Sequence, residues 1–299
     1  MRHSALNTLV ISILISVLAP VCVCAQNYPF RSGEKASIII HYKCGFSADL
    51  AQIDLTTTRE SNGGNPYFHV VANASTYKGA DTFFKVRDLY ESKFYEKDMS
   101  PLYFHRDVQE GKYWAKNWYD WKDDGKQLHA IVDKRNRPHR DTLYTADVVI
   151  RDIINLFYDA RAMDFKAFER GSNYSTLLAM DKDIMKVILR YMGKEQKKIP
   201  DLGTFNTIKI GITIIPVTPA DKDDDNANNS LIKFEFDEEA AMAQMDESVY
   251  YGKEKIFIWL SDDGNRLPLY FSSPVVIGSV NGRLSSYSGL KYPLTSKIK

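Results

Sequence analysis

Apolar and polar residues alternate along most of the chain, which is the pattern of half-buried β-strands. Residues 35–42 are rich in β-branched and aromatic side chains, and the alternation returns over residues 48–58. A turn signal of Asn, Gly and Pro at residues 62–66 separates these runs from a third one at residues 67–74. Strand-forming residues divided by tight turns predict an antiparallel meander in this part of the chain.

The same pattern continues beyond residue 100. Further strands are predicted at residues 101–108, 112–121, 127–132, 185–191, 204–215, 255–260, 267–271 and 275–287. Gly111 and Gly125 lie in the turns between the first three of these strands, where a tight reversal favours glycine. No internal repeat of fixed period is evident. The chain is therefore predicted to be mostly β.

Two segments change to the three- and four-residue spacing of an amphipathic helix. In residues 82–94 the apolar positions are Phe83, Val86, Leu89, Tyr90 and Phe94. In residues 147–157, the more regular of the two segments, they are Val148, Ile150, Ile153, Ile154 and Phe157. We expect two or three helices that cover the sheet. The β-rich region of residues 26–299 is one domain, or two halves divided near residues 147–173.

The first 25 residues predict export. Arg2 gives a positive start, residues 9–18 form an apolar run, and Val23-Cys24-Ala25 offers a cleavage site before Gln26. This is the pattern of a secretory signal peptide, and the apolar run is too short to span a bilayer comfortably. A valine precedes each cysteine of the leader, where a lipoprotein signal needs a small residue, so a freely soluble exported protein is favoured over an anchored one.

Charge and cysteine content narrow the class of protein. The chain has 39 Lys and Arg against 38 Asp and Glu, and its leader contains one Arg and no acid, so the exported part carries no net formal charge. This balance argues against a nucleic-acid binder and against a polybasic membrane-surface protein. No later segment is long and apolar enough for a transmembrane helix. Cys44 is the one cysteine after the leader and cannot form an internal disulfide.

Motifs of catalysis, metal binding and cofactor binding are absent from the sequence. The histidines after the leader are His41, His69, His105, His129 and His139, which are too far apart in the chain for a zinc motif. The sequence contains no Gly-x-Ser-x-Gly, P-loop or dinucleotide-binding motif. We therefore expect no catalytic residue, metal or cofactor, and an enzyme is the least favoured class.

Two further groups of residues are candidates for a structural turn and for a ligand-binding groove. Asp262, Asp263 and Arg266 surround Gly264-Asn265, and we interpret them as a structural turn in which carboxylates cap backbone groups. The predicted strand at residues 112–121 carries large rings on both faces, namely Trp114, Trp118, Tyr119 and Trp121. Either the sheet is covered on both sides, or these rings line a groove for an apolar or sugar-like ligand.

Four segments resemble the bacterial exported family DUF3108, a domain of unknown function. They are the Trp-x-x-Asp-Asp block within residues 256–269, residues 277–284, the start at residues 30–35 and the turn at residues 200–205. The resemblance covers most of residues 28–290. It implies a mainly β fold, a periplasmic or envelope location and no assigned catalytic residue. A curved antiparallel sheet or an incompletely closed barrel, similar to periplasmic lipoprotein carriers, is the expected architecture by analogy of fold.

Three functions remain open on the sequence. The favoured one is non-catalytic binding of a hydrophobic or glycan-like ligand, or of an envelope partner, with an apolar cavity near Trp114 or Trp118. The second is a structural or assembly protein that works through an exposed apolar patch. The third is a hydrolase acting on envelope polymers, which would need a cleft with convergent acid or histidine side chains.

Overall fold

A computed structural model describes residues 27–217, 231–234, 256–275 and 278–299. The predicted signal peptide at residues 1–25 lies outside these residues. The described chain is mostly β, as predicted. Its helices are the four-residue α1 (Lys78–Asp81), a 3-10 turn (Asp123–Gly125) and α2 (Ile153–Ala162).

The described residues form sixteen strands that belong to one hydrogen-bonded sheet. In chain order the strands are β1 (Lys35–Cys44), β2 (Phe46–Asn62), β3 (Asn65–Thr76), β4 (Arg87–Tyr95), β5 (Pro101–Glu110), β6 (Tyr113–Lys122), β7 (Gln127–Lys134), β8 (Arg140–Ala146), β9 (Ile150–Arg151), β10 (Asn173–Met180), β11 (Asp183–Ile199), β12 (Gly203–Pro216), β13 (Leu231–Phe234), β14 (Ile256–Ser261), β15 (Pro268–Pro274) and β16 (Ser279–Ser288). Strands on both sides of residues 147–173 are therefore parts of the same sheet.

Most neighbouring strands in this sheet are antiparallel, and their order follows the chain with one reordering. The order across the sheet is β13-β8-β7-β6-β5-β4-β3-β2-β1-β16-β15-β14-β12-β11-β10-β9. Parallel pairing occurs at the two edges, between β13 and β8 and between β9 and β10. The strand β16 pairs with β1, so the end of the chain is joined to its beginning in the middle of the sheet.

The sheet curves until its two edges meet through side chains. Apolar residues of β5–β8 and of β9–β11 share one buried cluster, which includes Tyr144, Leu177 and Ile184. The Tyr144 hydroxyl donates to the carbonyl of Lys182 at 2.6 Å, across the gap between the edges. The result is a nearly closed, barrel-like sheet with this cluster in the part of its interior between the two edges.

The two ends of the barrel-like sheet differ. We call the end that carries the β2–β3, β4–β5 and β14–β15 turns the closed end, because α2 lies across it. We call the end that carries the β1–β2, β3–β4, β5–β6, β7–β8 and β15–β16 turns the open end. Alternate turns of antiparallel strands lie at opposite ends of a sheet, so this division follows from the pairing registers.

The helix predicted at residues 82–94 is wrong, because residues 87–95 form β4. The inward positions of this strand are Asp88, Tyr90, Ser92 and Phe94, and three of them are buried while Tyr90 packs partly buried against two apolar clusters. Two polar residues on the inner face hide the alternation that a strand normally shows. Phe83, outside the strand, is exposed and completes a helical spacing only by coincidence.

The helix predicted at residues 147–157 exists, but it begins later, at Ile153, and it lies inside the curved sheet rather than over its outer face. Asp152 is the N-cap, and its Oδ1 accepts hydrogen bonds from the backbone N–H groups of Ile154 and Asn155, both at 2.8 Å. Such a cap satisfies two of the donors that a helix start leaves unpaired. The preceding Ile150 and Arg151 are strand β9, so the apolar spacing there belongs to a different element.

Apolar side chains surround α2 on several sides. Leu156 and Ala160 pack with residues of β10–β12 and β14. Ile154 and Tyr158 pack with the N-terminal Phe30 and with residues of β3 and β4. A helix that contacts strands from distant parts of one curved sheet must lie on the concave side of that sheet.

A buried ion pair anchors the C-terminal end of α2. Arg161 Nη1 lies 2.7 Å from Glu34 Oε1, and the two side chains are 1% and 3% exposed. The guanidinium also donates to the carbonyls of Asn265 at 3.0 Å and Arg266 at 3.1 Å, in the β14–β15 turn. Most of the hydrogen-bonding capacity of both charged groups is used, which a buried pair requires to be tolerated.

We predict that Arg161→Met lowers the free energy of unfolding by about 3–5 kcal/mol, because it leaves the Glu34 carboxylate buried without its partner. Urea denaturation measures this loss. The control is Arg59→Met, which removes a pair with Glu96 at 2.7 Å in which the arginine is half exposed. Exposed pairs contribute at most about 1 kcal/mol. Equal losses in the two variants would contradict the assigned role of Arg161.

Candidate functional site

A cavity of about 410 Å³ lies between α2 and the inner face of the sheet. Its floor is the side of α2 that carries Ile153, Leu156, Phe157 and Ala160. Its walls come from β1, β2, β11, β12 and β14–β16. The volume is within the range of about 300–1,000 Å³ that is usual for ligand pockets.

The alternation of the strands makes the wall of this cavity apolar. In β14, Ile258 and Leu260 face the cavity, whereas Trp259 between them faces outward beneath Lys197, whose Nζ is 3.8 Å from the ring centre. Burial of Lys197 lowers the pKa of its ammonium group. Aliphatic side chains of the other strands complete the wall, and they include Ile38, Ile53, Leu189, Ile210 and Leu284.

The cavity can be reached from the open end. Leu260, Leu269 and Leu284, which lie toward the closed end, are fully buried. Ile258 and Phe271, one register position further toward the open end, are partly exposed. Ile153 on the floor is 44% exposed, so solvent-sized molecules reach the surface of α2.

A glycine in β16 shapes one wall. Gly282 pairs with Phe271, and the Phe271 ring lies flat over it, in the space that a Cβ atom at residue 282 would occupy. A larger residue at this position would push the ring into the cavity. The aromatic ring covers the backbone that the glycine leaves bare, an arrangement that stabilises glycine within a strand.

Charged groups are close to the cavity but do not line it. A small pocket of about 10 Å³ beside Glu34 and Arg161 separates the ion pair from the cavity floor. That volume is enough for about one water molecule. The charges of this ion pair thus lie at the closed end, and the cavity wall presents hydrocarbon.

The aromatic residues predicted to bind a ligand lie elsewhere on the sheet. Tyr119 and Trp121 of β6 point inward and are buried in the cluster that joins the sheet edges. Trp118 points outward and stacks on His105, with ring centres 5.4 Å apart, and Trp114 is 41% exposed near the open end. None of the four lines the cavity of the described residues. Their role in ligand binding stays a prediction.

The segment interpreted as a structural turn joins β14 to β15. Asp263 Oδ1 accepts from the backbone N–H of Asn265 at 2.9 Å, and Asp263 Oδ2 accepts from that of Ser296 at 3.1 Å. Arg266 donates to Asp262 Oδ1 at 3.3 Å. These contacts fix the turn whose carbonyls receive Arg161, so the turn and α2 are positioned together.

Burial raises the pKa of two carboxyl groups in the interior. Asp152, the cap of α2, also accepts from Ser92 Oγ at 2.8 Å, and burial raises its pKa to about 6. Burial likewise raises the pKa of Asp88 to about 6, although the Gln109 N–H donates to it. The two groups serve different backbone segments. Within the described ranges, no three His, Cys, Asp or Glu side chains come together as a metal site would require.

Comparison with known proteins agrees with the sequence resemblance. The family described as protein of unknown function (DUF3108) matches residues 37–285. The chain belongs to the DUF3108 family. No curated protein matches it. No helix in the described part of this DUF3108 protein has the length and apolar character needed to cross a membrane.

Two solved structures are similar to the chain over most of its length, at low sequence identity. A β-barrel-like protein of the domain of unknown function DUF1849 from Brucella abortus is 9% identical, covers 87% of this chain and 98% of its own, and has a TM-score of 0.42. A candidate lipoprotein from Parabacteroides distasonis is 8% identical, covers 88% of this chain and 99% of its own, and has a TM-score of 0.36.

The sequence predicts an apolar cavity near Trp114 or Trp118 but not the position seen in the structure, because the cavity wall is spread over seven strands. Each strand shows the alternation that marks an inner face, but alternation does not distinguish a filled interior from an empty one. One local signal was available. A glycine inside the strand pattern at residue 282 indicates that another group approaches the backbone closely there.

We predict that Asp152→Asn removes part of the pH dependence of stability. The folded-state pKa is raised from its ordinary value of 3.8 to about 6. The stabilising contribution of Asp152 to the free energy of unfolding is therefore fully present below about pH 4 and is lost as the pH rises through about 6. Asparagine keeps the cap and carries no charge.

Urea unfolding at pH 4, 5, 6 and 7 tests this prediction. These values cover the range of about pH 4 to 6 in which linkage predicts the loss of stability. Over that window, the wild type should lose roughly 2–3 kcal/mol relative to the variant, since one pKa unit corresponds to about 1.4 kcal/mol. Asp88 stays in both proteins and leaves a common residual slope. Identical slopes in the two proteins would show that folding does not raise the pKa of Asp152.

Proposed function

We propose that this DUF3108 protein is a non-catalytic binding protein that takes an apolar molecule, such as the acyl chain of a lipid, into the cavity above α2. The observation that carries the proposal is the hydrocarbon wall of a 410 Å³ space that is open at one end. Apolar cavities of this kind do not hold water well and readily accept apolar guests. Transfer of each methylene group into such a space is favourable by about 0.8 kcal/mol.

The cavity favours an apolar ligand over a glycan. A sugar presents many hydroxyl groups, and each one buried without a partner costs about 1–3 kcal/mol. The residues that line the cavity supply hydrocarbon. Among them is Tyr270, whose ring lies on the outer side of β15, under the Nζ atom of Lys197. Of the two ligand classes that the sequence leaves open, hydrophobic and glycan-like, we therefore propose the hydrophobic one.

A soluble exported protein with this cavity would carry or sense a lipid between membranes. The signal-peptide pattern supports the export, and the apolar cavity supports the ligand class. The buried carboxyl groups of Asp88 and Asp152 accept hydrogen bonds from the backbone of Gln109 and Ile154, which gives both groups a structural role. The role as a structural or assembly protein remains the second candidate, since several large apolar side chains are exposed near the open end.

We expect the lipid-stripped protein to bind a fluorescent fatty acid, cis-parinaric acid, with saturable fluorescence enhancement. Ile258→Asn should weaken the binding roughly tenfold or more, because it removes apolar area and adds an amide without a partner in the cavity. The matched control is Phe257→Asn, the neighbouring residue on the outer side of the same strand, near Lys209. This control should bind the probe as the wild type does.

A second pair of variants tests the shape of the cavity independently. Gly282→Ala should weaken probe binding by driving the Phe271 ring into the cavity, and adding Phe271→Ala should restore it. Circular dichroism and urea unfolding establish that each variant is folded. If the stripped wild type does not bind the probe, or if Ile258→Asn and Phe257→Asn behave alike, the proposed function is wrong.

A further inference from the structure

Exposed large apolar side chains are concentrated at the open end of the described structure. Phe83 is 91% exposed and Phe84 is 55% exposed, both in the β3–β4 connection. The other exposed side chains of this kind at the open-end turns are Tyr77, Tyr113, Trp114 and Val275. The remaining ones are Tyr287 at the end of β16, Ile298 in the C-terminal segment, and Ile153 on the cavity floor. A distribution this uneven marks one end of the molecule as a contact surface.

Three of the turns at the open end form one continuous surface, which we call the rim and define as residues 77–86, 111–114 and 135–139. The backbone N–H of Gly111 donates to the carbonyl of Lys85 at 2.7 Å, which joins the first turn to the second. The N–H of Arg135 donates to the carbonyl of Trp114 at 3.1 Å, which joins the second to the third. The aromatic side chains therefore belong to one continuous surface.

The rim begins beside the cavity. The backbone N–H of Tyr77 donates to the carbonyl of Leu50 in β2 at 2.9 Å. The same strand lines the cavity with Ile53 and Leu55. A ligand that leaves through the open end therefore emerges next to the exposed aromatic residues.

The charge of the rim is one-sided. Its exposed charged residues are Lys78, Lys85, Lys112, Arg135 and Arg137. Its one carboxylate, Asp81, is held by Arg87 with an N–O distance of 2.6 Å. The whole exported chain has no net charge, so this cationic surface is a local property of the rim.

We infer that the rim docks on an anionic phospholipid bilayer, with the open end of the cavity facing the membrane. Aromatic rings that are partly apolar and partly polar settle at the headgroup level of a bilayer, and nearby lysine and arginine side chains bind anionic headgroups. In the rim, the exposed side chains of Phe83 and Phe84 lie next to such cations and supply apolar surface for contact with the bilayer. The inference rests on the proposed function, because docking of this kind would pass an acyl chain between bilayer and cavity.

Co-sedimentation with lipid vesicles tests the inference on purified protein whose intact mass shows that residues 1–25 are absent. One set of vesicles is phosphatidylcholine alone, and the other is phosphatidylcholine mixed with phosphatidylglycerol. The wild type should bind the mixed vesicles more tightly and should lose binding as salt is added. Lys85→Gln and Lys112→Gln should each weaken it about fivefold, which corresponds to about 1 kcal/mol for each cation near the surface.

The apolar part of the rim is tested with Phe83→Ser/Phe84→Ser, which should weaken binding to the mixed vesicles roughly tenfold or more. The matched control is Tyr287→Ser/Ile298→Ser, which removes two exposed apolar side chains away from the rim and should bind as the wild type does. Docking is overturned if the wild type does not sediment with mixed vesicles, or if both double variants bind equally. It is also overturned if light scattering shows that the two Phe side chains hold a dimer instead.

The experiments can reject membrane docking of the rim and ligand binding in the cavity independently of each other. Phe83→Ser/Phe84→Ser should still bind cis-parinaric acid in solution, and Ile258→Asn should still sediment with mixed vesicles. Vesicle binding without probe binding in the wild type would reject the proposed cavity function while leaving the rim as a membrane surface. Probe binding without vesicle binding would reject the rim alone.

Discussion

Arg161 lies where three segments that are far apart in the chain meet. Its guanidinium holds Glu34 at the start of the first strand and the carbonyls of Asn265 and Arg266 in the turn before β15. Because the side chain belongs to the last turn of α2, these contacts fix the helix across the closed end of the sheet. The cavity exists because α2 is held there, at a distance from β1 and β14–β16, instead of collapsing onto them.

The other end of α2 is held by a different kind of contact. Asp152 caps the helix and reaches Ser92 of β4, while Asn155 donates to the carbonyl of Met99 in the β4–β5 turn at 2.9 Å. The helix is therefore fixed at both ends by buried polar groups, and its apolar side is left facing the cavity. Buried polar contacts of this type select one arrangement of packing, since partly satisfied alternatives are costly.

Much of the fold could be predicted from local pattern. The strands around Gly111 and Gly125 follow from alternation and turn chemistry, and the apolar spacing near Ile153 correctly indicates a helix. The pattern fails at β4, where Asp88 and Ser92 are inward-facing polar residues and their hydrogen-bond partners lie far away in sequence. Those partners are a product of the tertiary structure, so a local reading cannot supply them.

The candidate site was less accessible to prediction than the fold. The aromatic residues of β6 are visible in the sequence, but the burial of Tyr119 and Trp121 depends on the approach of the two sheet edges. Likewise, the nearly balanced charge of the whole chain does not reveal the cationic turns of the rim, which come together only when β3–β8 pair. An apolar cavity and a cationic aromatic rim at one end of the molecule form a coherent arrangement, since a lipid needs both a space and a route to a membrane.

An apolar ligand in the cavity is the central element of the proposed function. Native mass spectrometry of the protein purified from cells, without lipid stripping, measures this. We predict a bound species whose mass is that of a lipid or fatty acid, present in the wild type and the Phe257→Asn variant and depleted in Ile258→Asn. A wild-type protein with no bound mass that also fails to take up added fatty acid would contradict the account.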